Sequence, residues 1–263
     1  MPNKRHSFFS ALVALGAFIT FLGPYASQAD TVKIPSGSFT PLFGLDKNQT
    51  HFKVRGFFLD RDPVTQESFA EFLNGSPSWK KNTVTPLFAD SKYLKDWNEE
   101  KPKVSHRKKP VVYISWYAAM AYCEAQKGRL PTTLEWEYAA AASATQANAL
   151  KDSEFTKQIL AWYAKPSGDY PTQNVGSGKP NFYGVRDLHG LVWEWTHDYN
   201  SSFITADNRQ DGDKIKDFFC GGGSIGAENR EDYAAFMRYA MRNSLNANFN
   251  VSNLGFRCAY DRK

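Results

Sequence analysis

The three cysteines, Cys123, Cys220 and Cys258, carry the most distinctive chemistry in this sequence. A cysteine thiolate binds soft metals such as Cu(I), takes part in redox exchange, or pairs in a disulfide. One disulfide leaves one thiol over, whichever pair forms. The choice between these uses depends on the redox compartment, which the N-terminus of the chain indicates.

Residues 1–29 have the pattern of a secretory signal peptide. Lys4 to His6 are basic, Phe8 to Leu22 are apolar and uncharged, and Ser27 and Ala29 are small residues suited to cleavage. An uncleaved membrane anchor is the alternative, but the apolar run is short. We therefore expect an exported, periplasmic protein of residues 30–263 with no membrane contact after cleavage, in which a distant cysteine pair forms a disulfide.

The histidines give a weaker signal. His189 and His197 flank one short segment, but a zinc or copper site there needs a third ligand that the sequence does not identify. We therefore predict hydrogen-bonded or surface histidines. The chain also contains neither a P-loop nor an HExxH motif.

Length and charge limit the class of protein. A charged fraction of 22% and a hydrophobic fraction of 42% exclude a disordered or collagen-like chain. The net charge of residues 30–263 is +3, and this mild balance predicts no nucleic-acid partner. The strongest basic run, Lys101–Lys109, predicts a solvated loop before the apolar, strand-like run Val111–Ile114.

Capping residues predict three helices that must position these groups. The helices begin after Thr65, Ser115 and Thr132; the first ends at Gly75, and the second runs from Trp116 to Lys127 and stops at Gly128. Short strands are predicted at Gly56–Leu59, Asp217–Cys220, Ala235–Tyr239 and Leu254–Tyr260. Because long connections separate these elements, we predict a fold low in regular structure with an aromatic core.

Several segments, taken in order, resemble one family. They are Asp62–Thr65, Tyr122–Cys123, Gly128–Thr132, Glu135–Tyr138, Asn181–Gly190, Val192–Thr196, Gly222–Ser224 and Ser252–Ala259. This succession resembles the sulfatase-modifying-factor, or formylglycine-generating-enzyme, family over residues 32–260. The resemblance implies a single C-type-lectin-like domain of the α+β class across residues 30–263.

The family includes copper-dependent oxidases that convert a sulfatase cysteine to formylglycine, together with exported accessory proteins. The run Cys220–Ser224, followed by Asp232–Tyr239, is most similar to exported members associated with copper nitrite reductase. The resemblance thus implies a protein or peptide partner bound in a surface groove, with a copper enzyme as the candidate partner.

The oxidase chemistry itself is not expected here. The family's oxidases hold Cu(I) between two cysteines that follow the Gly-Gly-Ser run, but this chain has no cysteine between Ser224 and Arg257. The second family cysteine corresponds to Ala234, and the first to Asn229 or Ala227, depending on the direction of counting. Cysteine-to-formylglycine oxidation is therefore not predicted.

The resemblance also assigns the remaining cysteines. Cys123 and Cys258 match family positions that form a disulfide. Cys220 is then unpaired, either as a soft-metal or redox thiol with Met237 or Met241 nearby, or as a buried and inert residue. Copper or iron remains an option without a complete set of ligands.

A calcium site is implied by four matching positions, Asp187, Gly190, Val192 and Glu194. Two carboxylates and two backbone carbonyls suit a hard cation that prefers six to eight oxygens. In the alternative interpretation, Asp187 caps a turn and Glu194 pairs with a basic side chain.

The candidate groove residues are Trp193, Cys220, Ser224, Asp232 and Arg242, and none can be given a proven catalytic role. Two hypotheses follow. In the first, the chain is a maturation or accessory factor without oxidase activity; in the second, it is a metal-dependent oxidoreductase that acts on a protein or peptide-derived substrate.

Overall fold

The computed structural model describes residues 30–40, 51–98, 100–164, 171, 173–200 and 230–261. Within these ranges, short strands and helices are separated by long connections, which confirms the predicted α+β class with little regular structure. The predicted signal peptide and the predicted strand Asp217–Cys220 lie outside them. No helix in the described part of the chain is long and apolar enough to span a membrane.

The strands form three small sheets. They are β1 (Thr31–Ile34), β2 (Gly37–Phe39), β3 (Phe52–Val54), β4 (Phe57–Asp60), β5 (Trp193–Glu194), β6 (Leu254–Gly255) and β7 (Ala259–Tyr260). β4 lies between β1 and β7 in an antiparallel sheet, β2 pairs with β3, and β5 runs parallel to β6. The strand predicted over Leu254–Tyr260 is thus two short strands in different sheets.

Three of the five α-helices in the described residues begin after the capping residues that predict them, and the other two were not predicted. They are α1 (Gln66–Gly75), α2 (Trp116–Ala125), α3 (Thr133–Ala140), α4 (Ser153–Tyr163) and α5 (Arg230–Asn243). The side chains of Thr65 and Ser115 accept hydrogen bonds from the third residue after each cap. Thr132 and Glu135 form a reciprocal capping box, in which each satisfies an amide that the helix leaves unpaired.

α2 ends two residues earlier than the sequence predicts. Lys127 has a φ of 60°, and the amide of Gly128 donates to the Cys123 carbonyl at 2.8 Å, which closes the helix. A Cβ on Gly128 would lie 2.8 Å from the carbonyl oxygen of Ala259. Glycine is therefore required where this turn meets β7.

The strand predicted over Ala235–Tyr239 is wrong, because these residues lie inside α5. The buried residues are separated by three or four positions, or are adjacent, as on one face of a helix. They are Ala234, Ala235, Arg238, Tyr239 and Arg242. The aromatic content of the segment favours a strand. The helical spacing appears only when Arg238 and Arg242 are counted as buried, and sequence patterns treat arginine as exposed.

An aromatic core joins the first two helices to the C-terminal segment. Phe69 packs within 5.3–6.3 Å, between ring centroids, of four other aromatic rings. These are the rings of Phe72, Trp97, Tyr122 and Phe256. Val111–Ile114 is buried beside this core but is not a strand, because Tyr113 has a φ of 56°.

Candidate functional site

The disulfide implied by the resemblance is confirmed. Cys123 in α2 and Cys258 beside β7 are bonded, with their Cα atoms 5.5 Å apart, and both are fully buried. The bond closes a loop with a sequence separation of 135. A loop of this length gives about 4–5 kcal/mol of stabilisation when the bridge is unstrained.

A buried carboxyl group lies against the disulfide. Asp60 Oδ2 accepts a hydrogen bond from the Cys258 amide at 2.9 Å, and the Asp60 amide donates to the Cys258 carbonyl. Burial raises the pKa of Asp60 to about 7, although the Cys258 amide and the Arg257 charge act in the opposite direction. This carboxyl group therefore titrates near neutral pH.

Glu194, a predicted calcium ligand, forms a buried ion pair with Arg257. Arg257 Nε lies 2.9 Å from Oε2 and Nη2 lies 2.8 Å from Oε1, and neither side chain is exposed. The indole nitrogen of Trp136 donates to Oε2 at 2.7 Å. Both oxygens of the carboxylate therefore already have donors from the protein.

Asp187, the other carboxylate of the predicted calcium set, closes a turn. Its Oδ1 accepts from the amide of Gly178 at 2.8 Å and its Oδ2 from the amide of Gly176 at 2.5 Å. Burial raises the pKa of Asp187, and these two amides oppose the effect. The side chains as placed do not fit a calcium site, and the geometry favours a capped turn and an ion pair; calcium stays a prediction from the resemblance.

The two histidines do not converge on a metal site. His189 Nε2 lies 2.9 Å from the Ala140 carbonyl oxygen, and burial together with the Arg238 charge lowers its pKa to about 4. His197 is exposed. Among the described residues, no group of three or more His, Cys, Asp or Glu side chains is placed to hold a metal ion.

The candidate groove residue Arg242 is buried and belongs to an ion triad with Glu137 and Arg238. Glu137 Oε1 is 2.8 Å from Arg242 Nη1, Glu137 Oε2 is 2.7 Å from Arg238 Nη2, and the three side chains are 4–6% exposed. Burial raises the pKa of Glu137, but the two guanidinium groups outweigh it and bring the value to about 2. The guanidinium of Arg242 also lies 4.7 Å from the ring centroid of Trp136.

Trp193, the second groove candidate, belongs to a partly exposed aromatic cluster. Its ring stacks on Tyr163 at 5.0 Å between centroids and contacts Trp162 at 5.2 Å. Arg238 Nη1 donates to the Tyr163 hydroxyl at 3.1 Å. Arg238 therefore contacts both the ion triad and the aromatic cluster. Through Arg238 and Tyr163, Arg242 is linked to Trp193.

The remaining groove candidates fall largely outside the described residues. Cys220 and Ser224 lie outside them, and Asp232 lies in the first turn of α5 without a described side chain. Ala234, which the resemblance matches to the family's second catalytic cysteine, is 3% exposed on the buried face of α5. A methyl group there offers neither a thiolate nor a proton-transfer group.

A cleft of about 490 Å³ lies between α4 and the loop before Asp187. Its walls include Ser143, Asp152, Phe155, Lys179 and His189. Asp152 caps α4 through the amides of Glu154 and Phe155, so its carboxylate is already partly used. The acidic and histidine side chains of its walls are not grouped so as to hold a metal ion.

A family model described as a sulfatase-modifying factor enzyme 1-like domain matches residues 23–262. This chain belongs to the sulfatase-modifying-factor family. The formylglycine-generating enzyme of Mus musculus is 27% identical over 284 residues, which cover 88% of this chain and 74% of that enzyme. The family's C-type-lectin-like fold thus accounts for the mixture of small sheets, capped helices and long connections.

Two further comparisons agree with this assignment. The protein named inactive C-alpha-formylglycine-generating enzyme 2 of Mus musculus is 28% identical over 222 residues, covering 64% of this chain and 73% of that protein. The crystal structure of CarF matches with a TM-score of 0.51 and 16% identity, covering 89% of this chain and 99% of CarF. The second match is a likeness of fold alone.

Sequence reasoning missed the triad and its link to Trp193. The sequence patterns place Glu137 only in a segment that resembles the family, and Arg238 in a predicted strand and in the family-like run Asp232–Tyr239. A useful signal was present, because Arg238 and Arg242 are four residues apart and therefore share one face of a helix. Their pairing with Glu137, 101 and 105 residues away, needs the tertiary structure.

Proposed function

We propose that this chain is an exported family member without cysteine-to-formylglycine oxidase activity, and that it serves as a maturation or accessory factor for a protein partner. One observation carries the proposal. The chain has three cysteines, and two of them form the buried disulfide. Cys220 is the single thiol left, whereas linear Cu(I) coordination of the family type needs two thiolates.

The packing at Ala234 supports this reading. A buried alanine stands where the oxidases have their second catalytic cysteine, on a helix face held by the triad of Glu137, Arg238 and Arg242. The existence of a relative named as inactive also supports a non-oxidase role. The chain keeps the family's scaffold while lacking the groups that carry the oxidase reaction.

The aromatic cluster around Trp193 supports binding of a polypeptide. Partly exposed aromatic rings provide a large contact area with little loss of side-chain entropy, and they are typical of protein-binding surfaces. The similarity of Cys220–Ser224 and Asp232–Tyr239 to exported members associated with copper nitrite reductase makes that copper enzyme our candidate partner. The signal-peptide pattern of residues 1–29 supports export to the same compartment.

The first experiment tests for oxidase activity directly. Purified protein, loaded with Cu(I), is incubated with a sulfatase-derived peptide that contains the target cysteine, and the peptide is analysed by mass spectrometry. We expect no formylglycine. A family oxidase with both cysteines is the positive control, and formylglycine formation by this chain overturns the proposal.

The second experiment separates the accessory role from a metal-dependent oxidoreductase. Metal content is measured after growth with copper and, separately, with iron, for the wild-type protein and for Cys220→Ala. We expect no stoichiometric transition metal in either protein. A stoichiometric metal that is lost in Cys220→Ala overturns the accessory role in favour of the enzyme.

A further inference from the structure

The segment Lys101–Lys109, called the basic loop below, carries all of the excess positive charge of the predicted mature chain. It contains four Lys, one Arg and no Asp or Glu, a net charge of +5. The other residues from 30 onward comprise 25 basic and 27 acidic residues, a net charge of −2. The charge is therefore concentrated in nine consecutive residues between α1 and α2.

The backbone of the basic loop is fixed at both ends. Lys101 exchanges two backbone hydrogen bonds with Asn98 where the loop begins. Towards its end, carbonyls of the loop accept hydrogen bonds from three amides outside it, those of Gln66, Glu67 and Val175. These contacts hold the loop in one conformation before any partner binds, which lowers the entropy lost on association.

The side chains of the loop are mostly exposed. Val104 begins a single 3₁₀ turn, Val104–His106, and is 77% exposed. Lys103 before it and Arg107 and Lys108 after it are exposed as well. An apolar side chain is thus presented to the surroundings between cations that precede and follow it in the chain.

Some of the positive side chains lie close together in space. Burial, and then the charges of Lys109 and Lys103, lower the pKa of His106, while the charge of Asp96 raises it. Lys103 and Lys109 are six positions apart in the sequence, yet both act on one imidazole. The turn therefore gathers cations that an extended chain would separate.

Acidic side chains near the loop do not cancel its charge. Arg107 lies 3.8 Å from Glu67, with both side chains about half exposed, and Asp96 also lies nearby. Glu100, which precedes the loop, pairs with Lys80 at 2.6 Å. With Glu67 and Asp96 counted, the net charge is still +3. Three lysines of the loop form no ion pair with the described residues, and they are Lys101, Lys103 and Lys108.

We propose that the basic loop is a peripheral membrane contact, in which its cations bind the phosphates of an anionic lipid surface and Val104 enters the boundary between headgroups and acyl chains. Clusters of about four to eight basic side chains are attracted to anionic lipids. Stable attachment needs a second contribution, such as a buried apolar group. The basic loop provides both, and the inference goes beyond the proposed accessory role without depending on it.

This contact needs no membrane-spanning segment. The sequence-based expectation of no membrane contact after cleavage concerns a membrane anchor, and no helix in the described part of the chain is long and apolar enough to span a bilayer. A loop that lies on the lipid surface is a different arrangement, because only a few side chains leave the water.

Two features of the loop favour lipid over an acidic protein or a nucleic acid. Four of its five cations are lysines, whereas protein interfaces are enriched in arginine and depleted in lysine. A lysine is a point charge on a flexible stem, which suits mobile headgroups better than fixed, bidentate partners. The exposed Val104 gains nothing from a phosphate backbone, but it is stabilised where headgroups meet acyl chains.

Vesicle co-sedimentation tests the contact. The protein is the mature chain without residues 1–29, so that the signal-peptide segment cannot carry the binding. Vesicles of phosphatidylcholine with phosphatidylglycerol are compared with vesicles of phosphatidylcholine alone. We expect binding to the first and not to the second, and release as salt is added, because exposed charges are screened.

Lysine variants locate the contact. Lys103→Gln/Lys108→Gln should weaken binding to the charged vesicles by about tenfold, because two of the cations that attract the lipid are removed. The matched control is Lys33→Gln/Lys151→Gln, which makes the same change of net charge at two exposed lysines outside the loop. The control should bind like the wild type.

Variants of Val104 test the apolar contribution. Val104→Leu should strengthen binding by about two- to fourfold, because leucine buries one more CH₂ group. Val104→Ser should weaken binding by a similar factor. Thermal unfolding of every variant checks that the fold is retained.

Four results overturn the inference: equal binding to the two kinds of vesicle, equal binding by the two double lysine variants, no effect of either Val104 variant, or displacement from the vesicles by another polyanion at equal charge. The other polyanions are a polyglutamate peptide and a single-stranded thymidine oligonucleotide. These assays use neither copper nor a protein partner, so failure here is distinguishable from failure of the proposed function.

Discussion

Arg257 Nη2 lies 2.8 Å from Glu194 Oε1 in an ion pair with no exposed surface on either side chain. Arg257 also donates to the carbonyls of Asp60 and Arg186, so it links β4, β5 and the loop before β5. Removing one member of such a pair leaves a charge without water or a counter-ion. The pair is therefore a stability determinant at the position where the resemblance implies calcium.

We expect Glu194→Gln to lower the free energy of unfolding by about 3–5 kcal/mol, because Arg257 is left buried without its counter-charge. Chemical denaturation measures the loss. Asp261→Asn is the control, because Asp261 pairs with Arg129 while its side chain is 75% exposed. Its loss should stay below about 1 kcal/mol. Equal losses in the two variants contradict the assignment of Glu194 as a buried counter-ion.

Calcium should have little effect on thermal stability. Glu194 already neutralises Arg257, and both oxygens of Asp187 accept backbone hydrogen bonds. We expect the same melting temperature in calcium and in EDTA, measured by differential scanning calorimetry. A saturable increase with calcium that disappears in Asp187→Ala is the opposite result, and it shows that these carboxylates rearrange to bind the ion.

The Asp60 carboxyl group should make the protein less stable as pH rises, whereas most carboxyl groups in folded proteins have the opposite effect. Its folded pKa, raised by burial to about 7, exceeds the ordinary value of 3.8. The folded state therefore holds a proton that the unfolded state has lost, and the contribution to stability falls as pH rises from about 4 to 7. Asp60→Asn should remove this loss.

The comparison is made on unfolding free energies at pH 4 and pH 8. From pH 4 to pH 8, the unfolding free energy of Asp60→Asn should rise by up to about 4 kcal/mol relative to that of the wild type, because one unit of pKa corresponds to 1.36 kcal/mol. The amide oxygen can still accept from the Cys258 amide. A difference between the two proteins that does not change with pH rules out Asp60 as the titrating group.

His189 should destabilise the protein in acid. Burial and the Arg238 charge lower its pKa from 6.5 to about 4. Below pH 6.5 the unfolded state takes up a proton that the folded state refuses, so stability falls between pH 6.5 and 4 by up to about 3 kcal/mol. His189→Gln should show a smaller fall over this range. Parallel pH profiles for the two proteins contradict the prediction.

The Cys123–Cys258 disulfide should contribute to the free energy of unfolding, and the thiol of Cys220 should not. We expect Cys123→Ser/Cys258→Ser to lower the free energy of unfolding by about 2–5 kcal/mol, because the unfolded chain is no longer constrained. Cys220→Ser is the matched control and should unfold like the wild type. A similar loss in Cys220→Ser points instead to a thiol with a structural role.

The sequence predicts the local features of this fold well. The caps at Thr65, Ser115 and Thr132 depend on residues within three positions, so their hydrogen bonds can be read from the chain. The disulfide was predicted from the family resemblance rather than from local pattern. These caps and the disulfide are confirmed.

The errors concern partners that are distant in sequence. The strand predicted over Ala235–Tyr239 lies inside α5, whose buried face contains Arg238 and Arg242, and these two side chains pair with Glu137, more than 100 residues earlier. The pairing of Glu194 with Arg257, 63 residues later, likewise leaves no local sign in the sequence, and calcium at Glu194 stays a prediction from the resemblance. Hydrophobic periodicity counts every charged residue as exposed, so it does not detect a helix whose buried face contains ion-paired residues.

The position of β4 between β1 and β7 has a consequence for biosynthesis. Asp60 and Cys258, which pair across this sheet, are 198 positions apart. At the usual rate of translation, about 5–20 residues per second, the first strands wait on the order of 10–40 s for their last neighbour. During that interval the nascent chain has neither its central sheet nor its covalent crosslink. A chain cut short before Cys258 should therefore be a target for chaperones and proteases rather than a smaller folded protein.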